Sequence, residues 1–256
     1  MKSALLCFFP LLALTSAASA NSFSDSWEGP AKLNLNLYLF AADVDGTLSK
    51  GPIAYNVNQP FKDTLGELDD SYMLHLDFTK GLWGAYIDSK LIKTSAAQQV
   101  YTVPIALRTS LEQSSFGVYY QAYVSENKTH TKSTGEKSRP RFIVEPTIGV
   151  HRTEVDATLS ALQHRTETSA AWNEFFWGSR FKYNFDSPWN LAAEMSFGVE
   201  DTRSAQTYIG YRQPIFGRPV NFRLGYRYFE QNHHTNNFHW DIKQHGPVIG
   251  LSLPIF

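Results

Sequence analysis

Sulfur chemistry is almost absent from this chain: among 256 residues there is one cysteine, Cys7, and only three methionines. Cys7 lies in a segment expected to be removed, which leaves the mature protein without a thiol, a disulfide or a thiolate metal site. Charge of one sign is lacking too. Twenty-three Lys and Arg stand against 24 Asp and Glu, a formal net charge of -1, so nucleic acid is not an implied partner. Long hydrophobic runs are also missing. After the N-terminal segment nothing approaches the ~20 apolar residues of a spanning helix, and mean hydropathy is -0.30. No glycine-rich phosphate loop, HExxH or GxSxG occurs, so neither a cofactor nor a metal is expected.

What the chain does have is aromatic residues, 14% of the total. Combined with the low mean hydropathy, they must be dispersed rather than gathered into runs. The N-terminus reads as a secretory signal: Met1-Lys2-Ser3, an apolar stretch from Ala4 to Leu14 broken by Pro10, then Ala18-Ser19-Ala20. Residues 1–20 are expected to be cleaved, leaving 21–256 as one domain.

From Lys32 onward the apolar period is two. Leu33, Leu35, Leu37 and Leu39 alternate with Lys32, Asn34 and Asn36. Val220, Phe222, Leu224, Tyr226 and Tyr228 alternate with Asn221, Arg223, Gly225 and Arg227. Similar alternation recurs at 73–78, 116–124, 142–151, 174–185 and 191–200. Strands with one apolar and one polar face, repeated to the end of the chain, predict an all-β fold, a transmembrane antiparallel up-and-down β-barrel. Tight links at Gly81-Leu82, Asp186-Ser187-Pro188 and Phe216-Gly217-Arg218-Pro219 alternate with polar stretches at Thr153–Ala171, Asp201–Arg203 and Gln231–Asn237. That asymmetry predicts short periplasmic turns and longer outer loops, with the long Asn127–Pro140 link falling on the periplasmic side.

The count is about ten strands. Residues 43–70 fall outside the pattern: Ile53–Asn58 reads as a short strand, and Phe61, Leu65 and Leu68 have helical spacing. The segment is expected to be a small strand-and-helix excursion over or into the barrel mouth. Pairing it as a further strand and splitting the Val100–Val124 run gives twelve instead. The final strand, His245 to Phe256, ends on an aromatic and needs the first strand to cover its edge, as closure supplies. Its apolar phase shifts, which predicts bulges at Gly246-Pro247 and near Pro254.

Three groups of residues carry candidate chemistry. Hairpin arithmetic about Gly81-Leu82 sets His75 opposite Asp88 and Asp77 opposite Tyr86 on the lumen side. A His–Asp pair can orient a nucleophile or simply be a hydrogen-bonded cross-strand pair; no serine elbow accompanies it. The inward arginines and glutamates, Arg180, Arg212, Arg223, Arg227, Glu174, Glu194 and Glu200, form an expected lumen charge network. It would bias a pore towards anions or, as we weigh it, fill and stiffen a narrow barrel. Here the Phe216–Pro219 turn sets Arg212 against Arg223 and Tyr208 against Arg227, while Arg180 faces Glu194. His233, His234 and His239 near the last outer loop are read as solvated rather than metal-binding.

Trp27, Leu37-Tyr38-Leu39, Asp45-Gly46, Phe61-Lys62-Asp63-Thr64-Leu65, Lys80-Gly81-Leu82-Trp83-Gly84 with Asp88, Gly225-Tyr226-Arg227-Tyr228 and His245-Gly246-Pro247-Val248-Ile249-Gly250-Leu251 carry a resemblance. Together they resemble a mostly uncharacterised, porin-like family of Gram-negative outer-membrane β-barrel proteins. The resemblance implies outer-membrane location, contact with outer-membrane lipids, and recognition of the strand ending at Phe256 by barrel-assembly machinery. It implies no activity. The function expected is a non-enzymatic barrel, structural or passing small solutes. The alternatives are a barrel-embedded lipid or peptide hydrolase and a surface adhesin.

Overall fold

The computed structural model describes residues 25–51, 53–100, 103–125, 140–161 and 164–256. The expected signal peptide and residues 127–139 of the long link lie outside them. A short 3-10 turn at Asp25–Trp27 precedes β1 (Ala31–Phe40), β2 (Asp43–Lys50), β3 (Ile53–Gln59), α1 (Phe61–Gly66) and β4 (Leu68–Lys80). There follow β5 (Trp83–Val100), β6 (Val103–Tyr120), the two-residue β7 (Tyr123–Val124), β8 (Phe142–Ala161), β9 (His164–Asn184), β10 (Trp189–Gly198), β11 (Arg203–Ile215), β12 (Arg218–His234) and β13 (Phe238–Pro254). Ten of these close an antiparallel barrel in the order β1-β4-β5-β6-β8-β9-β10-β11-β12-β13, with β13 returning to β1; β2, β3 and β7 are extra. The twelve-strand count fails because β6 runs unbroken from Val103 to Tyr120. Among the described residues no helix is long and apolar enough to cross a membrane.

The 43–70 segment is neither over the mouth nor inside it. It extends the wall. β1 and β2 follow one line along β13 in a single register, Phe40 opposite Val248 and Asp43 opposite His245, with the Ala41 N–H donating to Pro247 O (3.0 Å) between them. On its other flank β1 meets β4, whereas β2 meets β3. The turn of helix α1 then joins the foot of β3 to the head of β4. The Phe61 N–H donates to Asp43 Oδ1 (2.8 Å), and the Ser95 N–H donates to Glu67 O (2.8 Å).

Side-chain polarity divides the barrel along its axis. In the part nearer the short turns, the outside is apolar: Leu37, Ile87, Phe116, Ile148, Phe175, Trp177, Phe222, Leu224, Ile249 and Leu251 are all exposed. Inward positions there are polar, including Asn36, Asp77, Glu145, Arg180, Asn221 and Ser252, all buried. That is the arrangement of a bilayer-spanning barrel. Aromatic pairs ring the short-turn end, among them Trp83–Tyr120 (5.0 Å), Tyr183–Phe185 (4.9 Å) and Trp189–Tyr211 (4.9 Å).

Farther out the pattern inverts. Outward His239, Asp241 and Lys243 are polar, while Trp240 and Ile242 are buried inside. This inversion explains the phase shift at Gly246-Pro247. No bulge interrupts the β12–β13 ladder, which keeps one register from Asn221–Ser252 to His234–His239. The apolar face changes sides because water replaces lipid outside the wall. At the terminus two residues do oppose one. The Leu33 N–H donates to Phe256 O (3.0 Å), and Leu33 O accepts the Ile255 N–H (2.7 Å). This is a bulge just beyond Pro254.

Two expected outer loops are likewise strand. Thr153–Ala171 belongs to the long β8–β9 hairpin apart from residues 162–163, which are not described, and Gln231–His234 continues β12. The Phe216-Gly217 turn is also tighter than expected. Both central residues have positive φ, 50° and 75°, as a two-residue type I′ turn requires, so Ile215 pairs with Arg218.

Candidate functional site

The candidate site is the lumen, and it is built in layers. The hairpin β4–β5 places His75 opposite Asp88, and β9–β10 places Arg180 opposite Glu194. Alternation points these side chains inward, where strands distant in sequence meet. The Arg180 guanidinium donates to the Asp77 carboxylate, lies 3.5 Å from Glu145 and 3.9 Å from Glu194, and stacks over Tyr119 at 4.3 Å. Lys182 holds Glu145 from the other side at 3.0 Å, and the Tyr119 hydroxyl donates to Asp77 at 2.7 Å. A second focus surrounds Asp88, which accepts from the Tyr38 hydroxyl (2.9 Å) and faces His75 (3.3 Å) and Arg227 (3.6 Å). His75 links the two foci, because its other ring nitrogen lies 3.8 Å from Asp77. Every one of these carboxylates has a cation, which offsets the cost of burying charge.

The seven charged residues read as a network do not all meet. Arg180, Glu194 and Arg227 belong to the central layer. Arg212 sits nearer the short turns, opposite Asn221 rather than Arg223, and donates to Asn184 Oδ1 at 2.5 Å. Arg223 faces Gly210, and Tyr208 faces Gly225. The type I′ turn shifts the register by two from the expected one and so removes the like-charge pair. Glu174 and Glu200 lie at the outer end. Glu174 accepts from Thr202 Oγ1 and from the Glu200 N–H (2.7 Å), capping the β10–β11 turn, and Glu200 bonds His233 (2.7 Å).

Outward of the ionic layer the lumen is filled. Lys90, 2% exposed, donates to Gln244 Oε1 (2.5 Å) between the rings of Phe40 and Phe229. Gln231 accepts from Thr153 Oγ1 at 2.9 Å. Above these, Trp172 packs on Trp240 (5.6 Å) and stacks flat on His233 (4.6 Å), with Ile242 buried beside them. On the short-turn side, by contrast, a cavity of about 530 Å³ remains, lined by Asn34, Asn184, Asn190, Arg212, Asn221 and Arg223 and floored by the ionic layer.

His75 is flanked by two carboxylates and stacked on Tyr86 (5.3 Å); among the described residues no serine or threonine hydroxyl bonds to it. Sequence reasoning missed a Ser–His contact, Ser115 Oγ to His151 Nδ1 at 2.6 Å, which opposed positions on β6 and β8 produce. His151 is 7% exposed, stacks on Phe176 at 4.1 Å, and borders a void of about 10 Å³, room for a single water. At the outer end His234 and His239 approach to 2.9 Å between Nδ1 atoms, while His233 turns inward to Trp172. Among the described residues no group of three His, Cys, Asp or Glu is placed to hold a metal ion.

No protein-family model matches the chain, and no curated protein sequence does. Solved structures align with the chain at low identity and low TM-score. The attachment invasion locus protein Ail of Yersinia pestis is 8% identical, with 89% of this chain and 99% of that one covered and a TM-score of 0.35. CdiB from Acinetobacter baumannii is 12% identical over 87% of this chain and 46% of its own, TM-score 0.36. The Pseudomonas putida toluene transporter TodX is 11% identical over 87% and 88%, TM-score 0.24.

Proposed function

We propose that this chain is a Gram-negative outer-membrane barrel with a structural, non-enzymatic role, whose occluded lumen passes no continuous stream of solute. The short-turn end faces the periplasm and the long hairpins stand above the outer leaflet, following the usual asymmetry of such barrels. One observation carries this reading. From the Asp77–Arg180–Glu145 layer outward to Trp172 and Trp240, the inward side chains of the described residues pack against one another around a void of about 10 Å³. The buried ionic layer closes the path once, and the aromatic layer above it closes the path a second time. The exposed apolar belt supplies the lipid contact, and Phe256, exposed at the terminal bulge, remains available to assembly machinery.

Planar-bilayer recording with the folded protein tests this. The expected result is a flat trace across the physiological voltage range. Regular conductance steps that scale with protein concentration would refute occlusion and restore the small-solute pore.

A further inference from the structure

The cavity on the short-turn side has an imbalance of charge that the central network does not absorb. Five cations line it, Lys32, Arg180, Lys182, Arg212 and Arg223, against three carboxylates, Asp77, Asp88 and Glu194. Each carboxylate is already engaged: Asp77 by Arg180, Asp88 by Arg227, and Glu194 by Arg180 and by the Gln206 amide at 3.0 Å. Lys182 is spent on Glu145. Arg223 is different. It lies two inward positions from Arg227 towards the mouth, half-buried, facing a glycine across the strand pair. Among the described residues its guanidinium makes no hydrogen bond and no ion pair within 4 Å, and Asp77 and Tyr208 attract it only from farther off. Five donors therefore open onto the recess with no protein acceptor bonded to them, within electrostatic reach of Asp77 and Tyr208.

We infer that this recess is a binding site for a small phosphate-bearing solute, with Arg223 as its anchor. The guanidinium fork matches two phosphate oxygens, the volume of about 530 Å³ falls within the range of small-molecule sites, and the amides of Asn190 and Asn221 stand on the same wall. The ionic layer forms the floor, so the ligand binds and leaves through one mouth. The strand wall separates the site from lipid, which makes a soluble anion rather than a lipid headgroup the occupant. The single mouth and its periplasmic side rest on the function proposed above. Occupancy itself does not depend on orientation or on occlusion.

The test is calorimetric titration of inorganic phosphate into the folded protein in a maltoside detergent, which carries no anion of its own. Wild type is expected to bind one phosphate saturably, Arg223→Lys to bind it more weakly, and Arg223→Gln to lose at least roughly tenfold in affinity, the worth of one charge-assisted contact. Circular dichroism and denaturant midpoints establish that each variant folds. Absence of saturable binding by wild type, or equal affinity in Arg223→Gln, overturns the inference. Phosphate binding lost only when anionic lipid is added would show a headgroup competing for the recess and would overturn its isolation from lipid. A conducting barrel that still binds phosphate through Arg223 would refute occlusion and leave the site standing.

Discussion

Replacing Arg180 by methionine is the perturbation that asks most of the lumen. Arg180 has an 8% exposed side chain and faces three carboxylates, of which Glu145 is fully buried and Asp77 nearly so. Methionine has similar reach but no charge. After substitution Asp77, Glu145 and Glu194 share Lys182, 3.0 Å from Glu145, and the imidazole of His75, 3.8 Å from Asp77. Breaking a buried pair from one side costs about 3–5 kcal/mol, because the remaining charge is stranded. The stacking over Tyr119 and Tyr86 adds on the order of 1 kcal/mol. We expect a loss near the upper part of that range, read as a fall in the urea midpoint by tryptophan fluorescence of protein folded into phosphatidylcholine vesicles, at constant m-value. The double variant Arg180→Met with Asp77→Asn is expected to cost less than the sum of its parts, since it removes one stranded charge along with its partner. A single-variant loss below about 1 kcal/mol, or strict additivity in the double variant, would show that water already screens this layer and would refute the account of a dry ionic floor. The same variant is expected to stay silent in planar bilayers, because the Trp172–Trp240 layer is untouched.

Two further substitutions probe the wall, with a third in α1 as a control. Phe216 is fully exposed at a φ of 50°, a conformation that costs an L-residue about 1–2 kcal/mol, so Phe216→Asn should raise the unfolding midpoint; a lower midpoint would mean that the ring contributes more at the bilayer edge than the backbone strain costs. Gly84→Ala would place a methyl 2.0 Å from the Tyr119 ring, displacing it from Asp77 at a cost of about 1–3 kcal/mol, whereas Gly66→Ala in open space should be neutral or slightly stabilising; equal midpoints for the two variants would sink the packing argument.

Much of this was legible in the residues, and the failures have physical causes. Parity along each strand separates lumen from exterior, and turns of two or three residues convert to cross-strand pairs by arithmetic, so His75–Asp88 and Arg180–Glu194 follow from their hairpins. The Asp77–Arg180 contact does not. Its partners sit on β4 and β9, 103 residues apart, and meet only because the barrel is narrow enough for side chains to cross it. No hairpin rule reaches across a lumen. The Phe216 turn was misplaced by two because a bulky aromatic with positive φ is a rare occupant of a type I′ corner. Lys90 gave no signal beyond its parity, since a lysine on a lumen face is expected to reach water rather than to lie between two phenylalanine rings.

In the proposed occlusion, the closing strand ties the filling of the lumen to strand length. Within the lipid belt a wall must be apolar outside, so polar side chains go inward and can be buried only by pairing, as Arg180 and Asp88 do. Beyond the belt the same strand meets water outside, so burial favours the opposite face. On β13 the change falls between Ile249 and Lys243, and Trp240 and Ile242 turn into the lumen beside Trp172. Strands that stopped at the membrane surface would have no inward apolar stripe, and ion pairs alone would fill the lumen. Strands that continue past it create a second, soluble-type core stacked on the first, packed by the hydrophobic effect rather than by ion pairs. The β2–β3 hairpin belongs to this outer core, since Val44, Leu48 and Val57 pack against it. The filled lumen follows from ten strands, an inversion of polarity along them, and the aromatic residues that the inversion sends inward.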